Sequence, residues 1–263
     1  IGGGCINSGP KASKLVREFV KISGAPASMT LMGLGALPAS DPLSLGMLGM
    51  HGMYEANLAM HECDVMVNIG ARFDDRVTGR LDAFSPNSKK IHIDIDASSI
   101  QKNIKVDIPI VGDVEAIIEQ IIASWKKNNY SIENEALSAW WQKINEWKKI
   151  DCLSFQQNGE SIKPQYAIKR LYELTKDKNT IITTEVGQHQ MWAAQYYKFE
   201  KPNKWITSGG LGTMGFGFPA AIGAQVAFPD ALVIDIAGDG SILMNIQEMS
   251  TVVQHRLPVK IFI

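Results

Sequence analysis

Leu232-Val233-Ile234-Asp235-Ile236-Ala237-Gly238-Asp239-Gly240-Ser241 is the stretch from which the fold is read. An apolar run of this length, interrupted only by Asp235 and bounded by glycine, predicts a buried strand over 232–237. Amphipathic spacing then predicts a helix over 243–255, and a second apolar run opens at Val259. Strand, glycine turn, helix and strand in that order make a βαβ unit, whose strands run parallel. Ligands of open parallel sheets lie beyond the carboxyl ends of the strands, which is where Gly238, Asp239, Gly240 and Ser241 fall. A carboxylate flanked by glycines can ligate a hard cation such as Mg²⁺ while neighbouring N–H groups take phosphate oxygens. Gly-Asp-Gly is also a common turn, and spacing assigns no second metal ligand.

Working outward, the same alternation extends over the chain. Upstream lie a helix over 164–174, a strand over 180–184, a helix over 187–197, a glycine-rich loop and a helix over 216–228. An earlier series comprises a helix over 10–23, a short strand over 29–31, a helix over 53–62, strands over 65–69, 90–96 and 108–111, and a helix over 114–125. In 90–96, Ile91, Ile93 and Ile95 alternate with His92, Asp94 and Asp96, so one face is expected to be wet or functional. Between the series, 126–161 turns to Lys, Asn and Glu with Trp140, Trp141 and Trp147, a linker with its own helices. The expectation is an α/β protein of two Rossmann-like parallel-sheet domains, 1–125 and 162–263, joined by 126–161.

Composition narrows the function. With 26 Lys and Arg against 27 Asp and Glu, no basic surplus exists to offset a phosphate backbone, so nucleic acid is not the expected partner. Cys5, Cys63 and Cys152 are too far apart for a metal knuckle and odd in number, which favours a reducing compartment. Residues 205–229 carry no charge and pass the length test for a membrane span. Their six glycines and two prolines suit a loop feeding a helix instead. The Ile1 start and the apolar run at the other end lead to the expectation of an internal fragment, so absence of a targeting sequence says little.

Other strand ends are also rich in glycine and polar groups. Met32-Gly33-Leu34-Gly35, Gly70-Ala71-Arg72-Phe73-Asp74-Asp75-Arg76 and Gly112-Asp113 could line one groove for an elongated phosphorylated ligand; the same charges could equally form surface ion pairs. His51 reads as a structural loop histidine, and Met47, Met50 and Met53 as adaptable packing able to receive a flat ring. Gly210-Leu211-Gly212-Thr213-Met214-Gly215 fits the dinucleotide fingerprint, with Asp235 at the spacing of a ribose-binding acid. Against it, Trp205-Ile206-Thr207-Ser208 is a feeble first strand.

Four longer segments go further: Leu48-Gly49-Met50-His51-Gly52; Gly70-Ala71-Arg72-Phe73-Asp74-Asp75-Arg76-Val77-Thr78-Gly79; Val186-Gly187-Gln188-His189-Gln190-Met191-Trp192-Ala193-Ala194-Gln195; and Gly209 through Gly217. In this order they resemble the catalytic subunits of the acetolactate synthase family, over nearly the whole chain. The resemblance implies a central FAD-binding domain with a six-stranded parallel sheet, followed by most of a thiamine diphosphate-binding domain. It implies flavin contacts from Gly3, Gly4, Thr30, Leu31, Met32, Leu48, Gly49, Met50, His51, Gly52, Gly70, Ala71, Arg72, Arg76, Val77, Asp94, Ile95, Asp113 and Val114. On the thiamine side it implies Gly187, Gln188, His189, Gln190, Met191, Gly212, Met214, Gly238, Asp239, Gly240 and Ser241. Met214 would bend the cofactor and Asp239 would hold Mg²⁺.

The implied chemistry joins the two-carbon unit of pyruvate to a second 2-keto acid, pyruvate or 2-ketobutyrate, on the route to valine, leucine and isoleucine, with FAD structural. The cofactor-activating glutamate and the asparagines that complete the metal motif would lie outside this chain, so no catalytic side chain is assigned within it and the fragment is expected to be inactive. Phe218 stands where the family pattern has Leu. A homo-oligomer, a regulatory small subunit and a cytoplasmic or organellar location are further implications. Three other readings stand beside this one: another thiamine diphosphate-dependent 2-keto acid decarboxylase or carboligase, an NAD-dependent oxidoreductase, and a non-catalytic nucleotide-binding module.

Overall fold

Every strand pairing in the chain is parallel, as required when each strand is separated from its neighbour by a crossover. The computed structural model describes residues 1–263 and divides into two units, Ile1–Ser154 with Glu200–Pro202, and Phe155–Phe199 with Asn203–Ile263.

The first unit contains α1 (Gly4–Asn7), α2 (Pro10–Ser23), β1 (Ala27–Met29), β2 (Ser44–Met47), α3 (Tyr54–Glu62), β3 (Val65–Ile69), α4 (Asp75–Thr78), β4 (Lys89–Asp94), β5 (Ile108–Val111), α5 (Val114–Lys127) and α6 (Asn134–Lys148). Its strands pair as β1-β2 and β3-β4-β5. Residues 1 and 2 bridge the two groups: the Ile1 amine donates to Ser28 O and the Ile1 carbonyl accepts from Thr30 N, while Gly2 N donates to Ile69 O at 2.8 Å. They occupy the place of a strand between β1 and β3.

Local chemistry explains the helix boundaries. Pro10 opens α2 and left-handed Gly24 (φ 60°) closes it. The Asp113 carboxylate caps α5 by accepting from Glu115 N and Ala116 N, and Lys126 and Lys127 occupy the last turn. Val16 and Val20 of α2 and Ile118 and Ile122 of α5 are buried, and the Phe19 and Trp125 rings meet edge-on at 6.3 Å. Helix α6 falls in the first unit: Ile144 is fully buried with Leu45, Ala56 and Ala59. Segment 126–161 is thus shared between the units, which part at Ser154.

The second unit contains α7 (Pro164–Thr175), β6 (Thr180–Thr184), α8 (Gln188–Tyr196), β7 (Trp205–Thr207), α9 (Gly217–Ala227), β8 (Leu232–Ile236), α10 (Asp239–Met244), α11 (Met249–Gln254) and β9 (Lys260–Phe262), with strand order β7-β6-β8-β9. All five residues of β6 are buried, as expected of a central strand covered on both faces. Ile181, Val233, Ala221, Ala224 and Ala231 form one core; Phe218, Ala237 and Ile242 form another. The uncharged 205–229 stretch is a three-residue strand, a loop and an eleven-residue helix; no helix of the chain is long and apolar enough to cross a membrane.

Three expectations change. The strand expected at 29–31 lies at Ala27–Met29, Leu31 instead opening a 3₁₀ turn, Leu31–Gly33, and β2 is an additional strand. The helix expected over 243–255 is two short helices around a 3₁₀ turn. It breaks at Asn245 (φ −134°), whose Nδ2 donates instead to Gly215 O at 2.6 Å. Of the two alternatives for the polar face of 90–96, wet or functional, burial removes the first within β4, where His92 is fully buried against Phe73 and Asp94 is buried beside it, while Asp96, just past the strand, is exposed.

Candidate functional site

In the second unit β6 and β8 end side by side, and the chain leaves each through glycine. Asp239 is the first residue of α10 and is exposed, whereas Ser241 is buried. The first-turn N–H groups of this helix lack intrahelical acceptors, as at every helix start. His189, in the first turn of α8, lies against Gly187 and Gly238: a Cβ on either would stand about 3 Å from its ring. Those two glycines therefore make room for an imidazole. Burial lowers the His189 pKa, the Asp239 charge acting the other way, and Nε2 is buried with no partner.

The glycines of the loop divide into two kinds. Gly215 (φ 83°) and Gly217 are needed internally: a Cβ would stand 2.7 Å from Asn245 Nδ2 at the first and 2.4 Å from Asp235 Oδ1 at the second. Gly210 and Gly212 (φ 70°) face open space, and the nearest atom to a Cβ on Gly240 is Met214 Cε at 3.5 Å. Open backbone at Gly212 and Gly240, an exposed carboxylate at Asp239 and a half-exposed Met214 are what a diphosphate with a divalent ion requires. No group of three His, Cys, Asp or Glu side chains is placed to hold a metal, so an ion at Asp239 must complete its shell with other oxygens. Mg²⁺, which binds through one or two carboxylates plus phosphate, fits that donor set.

The other residues expected here separate by burial. Gly187 and Gln188 are exposed and Met191 is half-buried. Gln190 is buried and donates to Thr207 Oγ1 at 2.7 Å, so its side chain ties α8 to β7 rather than facing a ligand.

Sequence reasoning missed Glu185, which follows β6 and is fully buried, as is Asp235 on β8. Thr183 Oγ1 donates to Asp235 Oδ1 at 2.8 Å. Asp235 Oδ2 and both Glu185 oxygens are buried without a partner, and the two carboxyls lie within hydrogen-bonding reach of each other. Burial, reinforced by Glu185, pushes the Asp235 pKa up to about 7; burial also raises Glu185, opposed by the Phe218 and Gly238 amides. The signal was a lone acid at the end of the run from Thr180 to Thr184. This geometry removes the dinucleotide reading, because a fully buried Asp235 bonded to Thr183 cannot meet a ribose hydroxyl, and the fingerprint follows an edge strand of three residues.

In the first unit, parallel strands bring nearly all the expected flavin residues to one edge. Gly3 and Gly4 follow residues 1 and 2; Thr30, Leu31 and Met32 follow β1; Leu48, Gly49, Met50, His51 and Gly52 follow β2; Gly70, Ala71 and Arg72 follow β3; Asp94 and Ile95 end β4; Asp113 and Val114 follow β5. Gly4 meets Gly70 (φ 61°) backbone to backbone, a Cβ on Gly4 falling 2.7 Å from the Gly70 Cα. Met50 N donates to Arg76 O at 2.8 Å, and Met50, Arg76 and Val77 line a cleft of about 410 Å³ between α3 and 75–85. Met32, Met50, His51 and Ile95 are exposed. Arg72 pairs with Asp74 and Arg76 with Asp75 at the surface. Asn68 Nδ2 and His92 Nε2 both reach the Ala71 carbonyl, at 2.6 and 2.9 Å, and pin the Gly70 turn. Asp113 is engaged as a helix cap and the Val114 side chain is in the core, so neither side chain is free for a ligand.

Residues 1–121 match the family described as thiamine pyrophosphate enzyme, central domain, and 185–263 match the thiamine pyrophosphate enzyme, C-terminal TPP binding domain. The chain is 48% identical over 98% of its length to the acetolactate synthase isozyme 3 large subunit of Escherichia coli K12, covering 45% of that protein. It is 50% identical over 99% of its length to the acetolactate synthase large subunit of Buchnera aphidicola from Schlechtendalia chinensis, again covering 45%. Acetolactate synthase 1, chloroplastic, of Nicotiana tabacum is 50% identical over the whole chain, which covers 38% of it. The chain thus spans less than half the length of these relatives. With an exposed glycine-flanked carboxylate at the end of β8 and likeness running through both units, the chain belongs to the thiamine pyrophosphate enzyme family and carries its central domain and its TPP-binding domain.

Proposed function

We propose that the chain is the central and diphosphate-binding part of an acetolactate synthase large subunit. That enzyme decarboxylates pyruvate and joins the two-carbon unit to a second 2-keto acid, giving 2-acetolactate or 2-aceto-2-hydroxybutyrate. The observation that carries the reading is Asp239, exposed on the first turn of α10 next to the open backbone of Gly240, in a chain about half identical to proteins of that name. Thiamine diphosphate, when bound, supplies the electron sink for the carbon–carbon chemistry. The chain's own residues would bind and orient: Asp239 would hold Mg²⁺, the N–H groups around Gly240 would take diphosphate oxygens, and Met214, beside Gly240, would pack against the cofactor. His189, partly buried and with its pKa lowered by that burial, packs against Gly187 and Gly238 and holds them at their spacing.

In the same reading the strand-end edge of the first unit would hold FAD as a structural group, with Arg72 and Arg76 able to supply forked donors to phosphate oxygens and the exposed Met32 and Met50 able to supply adaptable apolar surface. Release from their surface carboxylates costs the arginines little, since exposed pairs contribute about 0–1 kcal/mol. The word "large" in the relatives' names supports a regulatory small subunit, and exposed apolar side chains such as Leu211 and Val253 support a homo-oligomer. Three free cysteines suit a reducing compartment, cytoplasm or plastid. Purified as the intact protein, the enzyme is expected to be yellow and to form acetolactate from pyruvate with Mg²⁺ and thiamine diphosphate. A colourless protein that transfers hydride from NADH and ignores thiamine overturns the reading.

A further inference from the structure

Thr183, Glu185 and Asp235 form a polar island at the ends of β6 and β8, inside the apolar core. Both carboxyls are fully buried, yet together they receive a single side-chain hydrogen bond, from Thr183 Oγ1 to Asp235 Oδ1. Three carboxyl oxygens remain buried and unpartnered, and they belong to two groups that face one another. Two carboxylates are acceptors only, so they cannot satisfy each other. Two adjacent buried negative charges with no cation are also untenable. No Lys or Arg pairs with either group, and His189 Nε2, the one basic atom nearby, is 3.8 Å from Glu185 Oε2, too far for a hydrogen bond. A single proton resolves the arrangement: one carboxyl becomes a donor, the other its acceptor, and the pair carries one charge.

We propose that Glu185 and Asp235 share one proton, and that this acid–carboxylate pair is the buried support that sets the opening turns of α9 and α10 at the diphosphate site. The placement gives the pair its role. Gly217, first residue of α9, approaches so closely that a Cβ there would stand 2.4 Å from Asp235 Oδ1 and 2.8 Å from Glu185 N. The backbone amides of Phe218 and Gly238 lie beside the Glu185 carboxyl. The pair therefore touches both turns that follow the glycine loop, and it acts through their backbone. Both are positioning residues: neither faces the open side on which Asp239 and Gly212 lie. This inference rests on the reading of that open side as the diphosphate site, although the shared proton itself does not.

The groups able to influence the pair are few. Thr183 donates from β6, His189 stands over Glu185 from α8, and Asp239 on α10 acts on His189. From α9 only backbone amides reach it, and β9 presents Ile261 opposite Asp235. Such a pair holds its proton in the folded state and releases it in the unfolded chain. Stability of the second unit is therefore highest in acid, falls as pH rises from about 4 to about 7, and levels off once the proton has left the folded state.

The test uses the intact protein and its Asp235→Asn and Glu185→Gln variants, each of which installs a permanent N–H donor in place of the proton. Wild type is expected to show the infrared C=O band of a protonated carboxyl at pH 6 that disappears by pH 9. It should also show a melting temperature that declines between pH 5 and 7.5, and thiamine diphosphate affinity several-fold weaker at pH 8.5 than at pH 6.5. In either variant the band is absent, the decline flattens and the affinity ratio approaches one. If both variants fail to fold, the wild-type infrared series alone decides. Absence of the band at every pH, or a slope that persists in Asp235→Asn but vanishes in His189→Asn, overturns the proposal. Loss of thiamine diphosphate binding at every pH with the band and slope intact would instead refute the site reading and leave the proton pair standing.

Discussion

Gly217 and Gly223 lie in the same helix, α9, and Ala at each should move stability in opposite directions. Gly223 is exposed in the helix interior, and a Cβ there meets nothing within 4 Å. Ala gains helix propensity of about 1 kcal/mol over Gly, so Gly223→Ala should stabilise by about that amount. At Gly217 the same substitution places Cβ 2.4 Å from Asp235 Oδ1, 2.7 Å from the Thr184 carbonyl carbon and 2.8 Å from Glu185 N. A carbon contact needs about 3.5 Å, so roughly 1 Å must be found against the backbone of a buried central strand. Overpacking of this kind costs about 1–3 kcal/mol. Displacing Asp235 also strains its bond from Thr183, and a buried acceptor left unpaired costs about 1–3 kcal/mol. Even after the propensity gain, Gly217→Ala should lose about 3 kcal/mol. In thermal melts of the intact protein, at roughly 2–4 °C per kcal/mol, Gly223→Ala should raise the transition of the second unit by about 3 °C. Gly217→Ala should lower it by about 9 °C. Shifts of the same sign, or a neutral Gly217→Ala, would refute the assignment of Gly217 to close packing.

Two further outcomes test the separate sites. In the full-length protein, Asp239→Ala should abolish Mg²⁺-dependent thiamine diphosphate binding in calorimetry while leaving flavin absorbance intact, because only one anionic ion ligand is lost; Arg72→Ala should do the reverse, and a swap of these phenotypes shows the two grooves were exchanged. His92 in the first unit is held neutral by burial, which outweighs the opposing effects of the Ala71 carbonyl and Asp94. Its folded pKa lies below the unfolded value of 6.5, so the contribution is present above that pH and is lost as pH falls through the depressed value. Urea midpoints of the first unit should drop in that acid window for wild type but stay flatter for His92→Asn, and an equal slope in the variant would show that another group titrates.

Both carboxylate clusters illustrate how local pattern and three-dimensional neighbours divide the information. Asp239 was legible because its neighbours in sequence are its neighbours in space: apolar strand, glycine, acid, glycine. Asp235 sits four residues earlier in the same run, and its spacing to Gly215 suited a ribose-binding acid. Its actual partners, Thr183 and Glu185, come from a strand about fifty positions away, which no local spacing displays. Strand β2 escaped notice because Ser44-Leu45-Gly46-Met47 offers two apolar residues and a glycine with φ 76°; pairing with β1 makes it a strand. The helix expected through 243–255 has the right periodicity, yet Asn245 leaves it to bond Gly215 O, thirty residues away.

By itself the sequence determined the class of fold, the parallel sense of the strands, the placement of most helices and the glycine-flanked acid at the end of β8. These follow from apolar periodicity and turn chemistry, which act over a few residues. Only the tertiary structure decided which glycines make room for neighbouring backbone and which lie open, that the polar side of β4 is dry, that Gln190 and Asp113 are occupied structurally, and that Glu185 and Asp235 meet. Those outcomes depend on which strands lie side by side and on what burial excludes, and water is excluded by the assembled sheet and helices rather than by any one segment.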